Sequence, residues 1–302
     1  MKRELLLAEF MSTPWALSPE RLVAFSSMMH RWQSGAPASA EALAEVQVGT
    51  DARAARAAPQ PGGGIAVLPL CGVVTQRGNM ASEVSGSGGV STQKFTQAFR
   101  GAMADSSVAS ILIDIDSPGG SVYGVSELAA EILGARGKKP GGAFANSLAA
   151  SAAYWIGCAA GEFYVTPGGE VGSIGVFMAH QDQSNAMAAK GVKTTYVSAG
   201  KYKTEGNPNG PLTDEAQAHL QSRVDDYYAM FTKGVAKGRN VPIEAARTGM
   251  GEGRTLGAQA AQAAGMVDGV MTIDEVISRM FKQSTKPASR LARAQNTLRI
   301  LG

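Results

Sequence analysis

Histidine and cysteine are scarce in this chain of 302 residues, with three of the first and two of the second. His30, His180 and His219 are far apart, so a multi-histidine metal site is not expected. Cys71 and Cys158 are also distant and sit among apolar residues, which suits small core side chains. Neither a disulfide framework nor a CxxC metal site is implied, and no cofactor is expected. No apolar run approaches the roughly 18 residues that a membrane span needs. The N-terminus has two basic residues before a short apolar run, but Glu4 and Glu9 bracket that run and it is too short for a signal-peptide core. A cytoplasmic protein is therefore expected. Net charge is only +3, so a nucleic-acid partner is not implied. The glycine-rich stretch Gly86-Ser-Gly-Gly-Val lacks the GxxxxGK[ST] spacing of a phosphate loop.

An apolar content of 44% supports a substantial core, and many glycines with few aromatics suit close helix–sheet packing. Residues 1–62 are expected to form a helical extension and linker. Ser18-Pro-Glu is a helix start with proline at the first helical position. Leu22, Val23, Phe25, Met28, Met29 and Trp32 then recur at helical spacing as a docking face. Residues 36–64 are rich in Ala, Pro and Gly. The main domain is expected over 63–282, and a basic tail over 283–302.

Within the main domain, strand-like and helix-like stretches alternate. Strands are expected at 65–70, 108–116, 141–145, 163–166, 172–179 and 194–197. Helices are expected at 91–104, 121–135, from Ser151, 183–190, 213–239, 242–248, 257–264 and 273–281. This pattern implies an α/β domain with a mostly parallel sheet flanked by helices.

Two backbone features point to one edge of that sheet. Asp116-Ser-Pro-Gly-Gly turns the chain after a central strand, and its glycines can expose N–H groups without side-chain obstruction. The next strand runs into Ser151, which small residues surround at the start of a helix. Unpaired N–H groups of a first helical turn can stabilise an oxyanion. Ligands of open α/β sheets gather beyond the carboxyl ends of the strands, where both turns would lie. Alone, Ser151 reads first as a capping serine; Ser147 is expected in a loop or turn. A nucleophilic serine needs a base, for which His180, His219 and Lys203 are the candidates. A lysine serves only if desolvation keeps it neutral.

Four motifs in order carry a family resemblance: Asp116-Ser-Pro-Gly-Gly, Ala149-Ala-Ser-Ala-Ala-Tyr, Gly172-Ser-Ile-Gly-Val and Ala199-Gly-Lys-Tyr-Lys-Thr-Glu-Gly-Asn-Pro. Together they resemble the S49 peptidases, over about residues 65–274. The resemblance implies a ClpP/crotonase-like fold and a serine–lysine dyad. Ser151 matches the nucleophile and Lys203 the general base, with Lys201 a nearby competitor. Gly119, Gly120 and Ala152 are the expected oxyanion donors. Ala152-Ala153 replaces the family's commoner Gly-Gly, and Ala199 stands where serine is frequent.

The implied activity is that of an endopeptidase on a protein or peptide substrate. The helical extension, the Gly-Asn-Pro after Lys203 and the His180-Gln-Asp-Gln-Ser stretch resemble the phage head-maturation branch, with scaffold or capsid proteins as substrates and a homo-oligomeric assembly. The alternatives are a signal peptide peptidase-like protease, a crotonase-type acyl-CoA enzyme and a non-catalytic head-assembly component.

Overall fold

The computed structural model describes residues 13–17, 64–77 and 89–284. The helix expected from Ser18, nearly all of the linker, most of the 76–90 loop and the tail beyond residue 284 lie outside these residues.

Three parallel strands form the centre. They are β2 (Gly64–Cys71), β5 (Val108–Ser117) and β7 (Gly141–Ala150), with β5 in the middle. In the β5 sequence VASILIDIDS every residue from Ser110 to Ile115 is buried, as in a strand covered on both sides. Ile111, Ile113 and Ile115 join a core with Val125, Leu128 and Ile132 of α2 (Val125–Gly134). Leu112 faces the other way, into a cluster with Phe144, Val276 and Met280, the last two from α8 (Ile273–Ser284). The sheet is thus flanked by helices on both faces. Beyond β7 the sheet continues through β8 (Glu162–Val165) and β9 (Glu170–Gly172), both parallel to β7. Its outer strands are β10 (Thr255–Gly257), antiparallel to β9, and β11 (Gly269–Val270), parallel to β8.

One irregularity in β7 sets the place of its last residues. Ile115 pairs with Ala145 but Ser117 pairs with Ala149, so β7 carries extra residues between these rungs. Its residues 142–145 pair with β8 and its residues 148–150 with β9. Ser147, expected in a loop, sits in this bulged part of the strand and its hydroxyl donates to Asp116 Oδ1. The bulge lets one strand continue past the end of β8 and deliver its last residues beside β9.

A second, small sheet begins just past the end of β5. Its order is β1 (Trp15–Leu17), β6 (Gly119–Ser121), β3 (Val74–Thr75) and β4 (Val90–Ser91). Residues 15–17, expected within a helical extension, are therefore a strand. They pair antiparallel with β6, and Trp15 also exchanges backbone bonds with Phe177 (2.9 and 3.0 Å).

The helices begin and end as their sequences dictate. In α1 (Thr92–Ala104), Ser91 caps the start by accepting the Lys94 N–H at 3.3 Å. In α5 (Asp214–Arg239), Thr213 accepts the Ala216 N–H, Asp214 and Glu215 fill the first turn, and Lys237 and Arg239 the last. Asn240 ends α5 in the left-handed region at φ 54°. Three shorter helices are α4 (Ser184–Ala189), α6 (Ile243–Thr248) and α7 (Ala258–Ala263).

Two expected strands differ. Only the beginning of 172–179 is a strand, as part of β9, and Phe177 forms a single bridge. Residues 194–197 form none: their β-branched residues favour a strand, but the segment is exposed and lies beside no strand of the described residues.

Candidate active site

The end of β7 and the six-residue helix α3 (Ala152–Gly157) are entirely buried. Trp155 stacks on Phe231 of α5, with ring centroids 4.9 Å apart and planes 9° from parallel. Tyr154 packs against Phe163 and donates its hydroxyl to Met266 O at 3.0 Å. Helix α5 comes this close because Gly234 faces the indole: a Cβ there would lie 2.2 Å from Trp155 Nε1. Burial pushes the nearby Cys158 thiol up to about 12, so it stays protonated and unreactive in the core.

Ser151 joins β7 to α3 with φ 56° and ψ −119°. This is a strained position for a residue with a side chain. Neighbours over-determine it. The Ser151 N–H donates to Gly172 O at 2.6 Å and its carbonyl accepts the Trp155 N–H at 3.0 Å. Its side chain is fully buried, yet its Oγ has no hydrogen-bond partner among the described residues. A buried unpaired hydroxyl costs about 1–3 kcal/mol. Backbone strain and an unpaired buried polar atom thus coincide at one residue, and packing alone does not explain them.

Gly119 lies against this serine. Its φ is +94°, and a Cβ on it would sit 2.8 Å from Ser151 Cβ, 2.9 Å from Ala150 O and 2.2 Å from Ala16 O. Only glycine fits that backbone and that space. Ser117 holds the turn: its Oγ donates to Gly72 O at 2.6 Å and accepts the Gly119 N–H at 3.2 Å. The Gly119 N–H is thus in use. Val122 donates to Pro14 O at 3.2 Å. By the alternation of an antiparallel ladder, Ala16 and Gly120 form the next pair whose N–H and C=O groups face each other. That turns the Gly120 N–H toward the Ala16 carbonyl. Ala152 is the first residue of α3, and the helix leaves its N–H without an internal acceptor.

The expected site residues therefore divide. Ser151, Gly119, Gly120 and Ala152 are brought together. Lys203 is not: it is exposed on the turn at 201–206, and Ser151 Oγ bonds to none of the described residues. Lys201 is engaged with Tyr202 Oη (2.8 Å) and Glu215 Oε1 (2.9 Å), which hold its amine above the ordinary lysine value and so protonated. His180 Nε2 lies 3.0 Å from Asn207 O, and His219 is exposed on α5. Neither histidine reaches the serine. Among the described residues, no group of three or more His, Cys, Asp or Glu side chains could hold a metal ion. Three supports have no signal in the local sequence: Ser117, the Ser147–Asp116 bond and the strand at 15–17. Each depends on a partner distant in the chain.

A strained, buried serine joins a parallel strand to a helix on an α/β scaffold, with glycine backbone beside it. The family model for Peptidase family S49 matches residues 135–286. The chain belongs to this serine-peptidase family. It is similar to the "Head-tail preconnector protein GP5" of Enterobacteria phage P21, at 33% identity over 248 residues, 79% of this chain and 49% of that protein. It is similar also to the "Capsid assembly protease C" of Escherichia phage lambda, at 32% identity over 234 residues, 78% of this chain and 52% of that protein. The chain thus spans about half the length of these curated relatives. Among solved structures, a ClpP1 variant from Listeria monocytogenes aligns over 70% of this chain and 94% of that one, with a TM-score of 0.42 and 14% identity. No helix among the described residues is long and apolar enough to cross a membrane.

Proposed function

We propose that this chain is a serine endopeptidase of phage or prophage head maturation, cutting scaffold or capsid proteins with a Ser151–Lys203 dyad. The catalytic unit is read as a ClpP/crotonase-like domain over residues 63–282, with residues 1–62 and 283–302 as appendages. The observation that carries the reading is Ser151 itself: strained, buried and unpartnered beside Gly119. Related proteins named for head and capsid assembly support the substrate class.

Ser151 Oγ attacks the scissile carbonyl while neutral Lys203 takes its proton. The oxyanion sits between the N–H groups of Gly120 and Ala152, and Gly119 keeps the space clear. Lys203 then protonates the leaving amine, and water hydrolyses the acyl-enzyme on Ser151. Lys203 stands on an arm that is exposed throughout residues 191–203, together with Tyr196, Val197 and Tyr202. A lysine serves as a base only where it is desolvated, so the arm must be covered before Lys203 can act. We infer that a second copy of the chain covers it, and that the working enzyme is a homo-oligomer in the host cytoplasm or the immature head.

The test is co-expression with phage capsid and scaffold proteins, read by mass spectrometry of the products. Wild type yields discrete fragments, whereas Ser151→Ala and Lys203→Ala yield none. Processing by both variants at the wild-type rate would falsify the dyad. Mixing the two variants tests the assembly: recovered cutting places the serine and the lysine on different copies.

A further inference from the structure

The strand at 15–17 occupies the place a substrate needs. Strand β6 lies between β3 and β1, so without β1 its outer edge would present unpaired N–H and C=O groups, a template for an extended peptide. Residues 13–17 fill that edge from both sides. Val122 binds Pro14 O, Ala16 faces Gly120, and Trp15 exchanges two bonds with Phe177 across the groove. Trp15 is 1% exposed and Ala16 0%. The Ala16 carbonyl oxygen and Ser151 Cβ are the two atoms nearest to the Cβ position of Gly119. The strand therefore lays the Ala16 carbonyl beside the nucleophile and next to the Gly120 N–H, and Ser151 beneath it is sealed from solvent.

We propose that residues 13–17 are an internal ligand of the substrate groove. They hold Ser151 shut, and they show what the groove accepts: an extended peptide with a large apolar residue at the position of Trp15 followed by a small residue at the position of Ala16. The small residue is required because Ala16 is fully buried in the same cluster as Ala149, Ala152 and Ala153. A substrate must displace the strand before it can be cut. The proposal rests on the reading of Ser151 as nucleophile.

The experiment compares the rate at which a fluorophosphonate probe labels Ser151 in the full chain and in full-chain Trp15→Gly, which loses the buried anchor. If the open state is a minor population, freeing the groove raises labelling about tenfold or more. The peptide Ser-Thr-Pro-Trp-Ala-Leu, added in trans, slows labelling of Trp15→Gly, and the same peptide with arginine in place of its alanine does not. Equal labelling of wild type and variant overturns the proposal, as does equal protection by the two peptides. Absence of labelling in both proteins overturns the nucleophile reading instead. Should Trp15→Gly show no cooperative melting, the comparison moves to a chain carrying a site-specific protease sequence at 59–62, labelled before and after cutting in the folded state. An unchanged rate there, with the cut strand removed by washing, likewise sinks the idea.

Discussion

Around Ser151, every residue from 149 to 160 is buried, and tertiary bonds hold the backbone on both sides of the elbow. Around Lys203, every residue from 191 to 203 is exposed, and the backbone bonds are short-range turn contacts such as Lys203 N–H to Gly200 O at 3.1 Å. Packing of one chain is enough to strain a serine and hold it there, because a dense interior transmits that constraint. A turn on an open arm has no such surroundings. On the proposed reading, the nucleophile is built by the fold and the base is delivered by assembly, so activity and stability respond differently in the two regions.

Removing each functional group has the largest expected effect and separates the regions by their side effects. Ser151→Ala is expected to lower peptidase turnover by about 10⁴-fold or more. Its melting temperature should be equal or slightly higher, since an unpaired buried hydroxyl is lost. Lys203→Ala is expected to lower turnover by about 10²–10⁴-fold, with no measurable shift in melting. Turnover on an internally quenched peptide and calorimetry on the same preparations check both. A large loss of stability in Lys203→Ala would break the contrast.

Matched glycine substitutions probe the same difference through the backbone. Gly119 and Gly191 both have positive φ, +94° and +71°. Gly119→Ala meets three atoms within 3 Å, whereas Gly191→Ala meets nothing within 4 Å. The second therefore costs only the conformational strain, about 1 kcal/mol, and the first adds overpacking for a total of about 3 kcal/mol. Denaturant midpoints measure both. Equal costs would mean that the elbow relaxes as freely as the arm.

The same division decides what is legible in the sequence. The β5 run and the Ser91 and Thr213 caps carry their structural cause within a few residues, so local sequence alone places their elements. Ser151 is visible because β7, the elbow and α3 are contiguous. The strand at 15–17 is not: three residues show no periodicity, and their partners, Gly119–Ser121 and Phe177, are about a hundred or more residues away. Residues 194–197 mislead in the opposite direction, with strand-forming side chains and no neighbouring strand. Of the site, the glycines are legible from their motif. The use of Gly119's N–H by Ser117 is not, because it depends on a turn held from Gly72.

A smaller effect is expected where the packed region is tied together at its rim. Arg239 donates to both oxygens of Asp268 (2.8 and 3.0 Å) and to Gly265 O, while Asp268 Oδ2 also accepts the Phe163 N–H at 2.7 Å. Burial alone would raise the Asp268 carboxyl, but the Arg239 and Phe163 bonds outweigh it and hold the carboxyl below its usual value. A depressed carboxylate contributes stability above its unfolded pKa of about 3.9 and loses it as pH falls through the folded value. Asp268→Asn should therefore destabilise at pH 7 and flatten the acid limb below about pH 4. The Asp268 side chain is 40% exposed, so water screens the pair. The expected loss is about 2 kcal/mol rather than the 3–5 of a fully buried pair. Melting curves from pH 3 to 7 measure it.

The smallest expected effect tells the two lysines of the arm apart. Lys201 and Lys203 are two residues apart and both exposed, but among the described residues only Lys201 has an anionic partner. Its ammonium lies 2.9 Å from Glu215 and over the Tyr202 ring, 4.6 Å from the centroid. The Tyr202 hydroxyl and the Glu215 carboxylate favour its charged form, which has no lone pair to accept the serine proton. Exposed pairs of this kind contribute little to folding. Lys201→Ala is therefore expected to leave melting unchanged and to alter turnover by less than about twofold, an effect of the size that exposed substitutions produce. If Lys201→Ala abolished turnover while Lys203→Ala kept it, the base would be reassigned, and the Glu215 contact would have to open during the reaction.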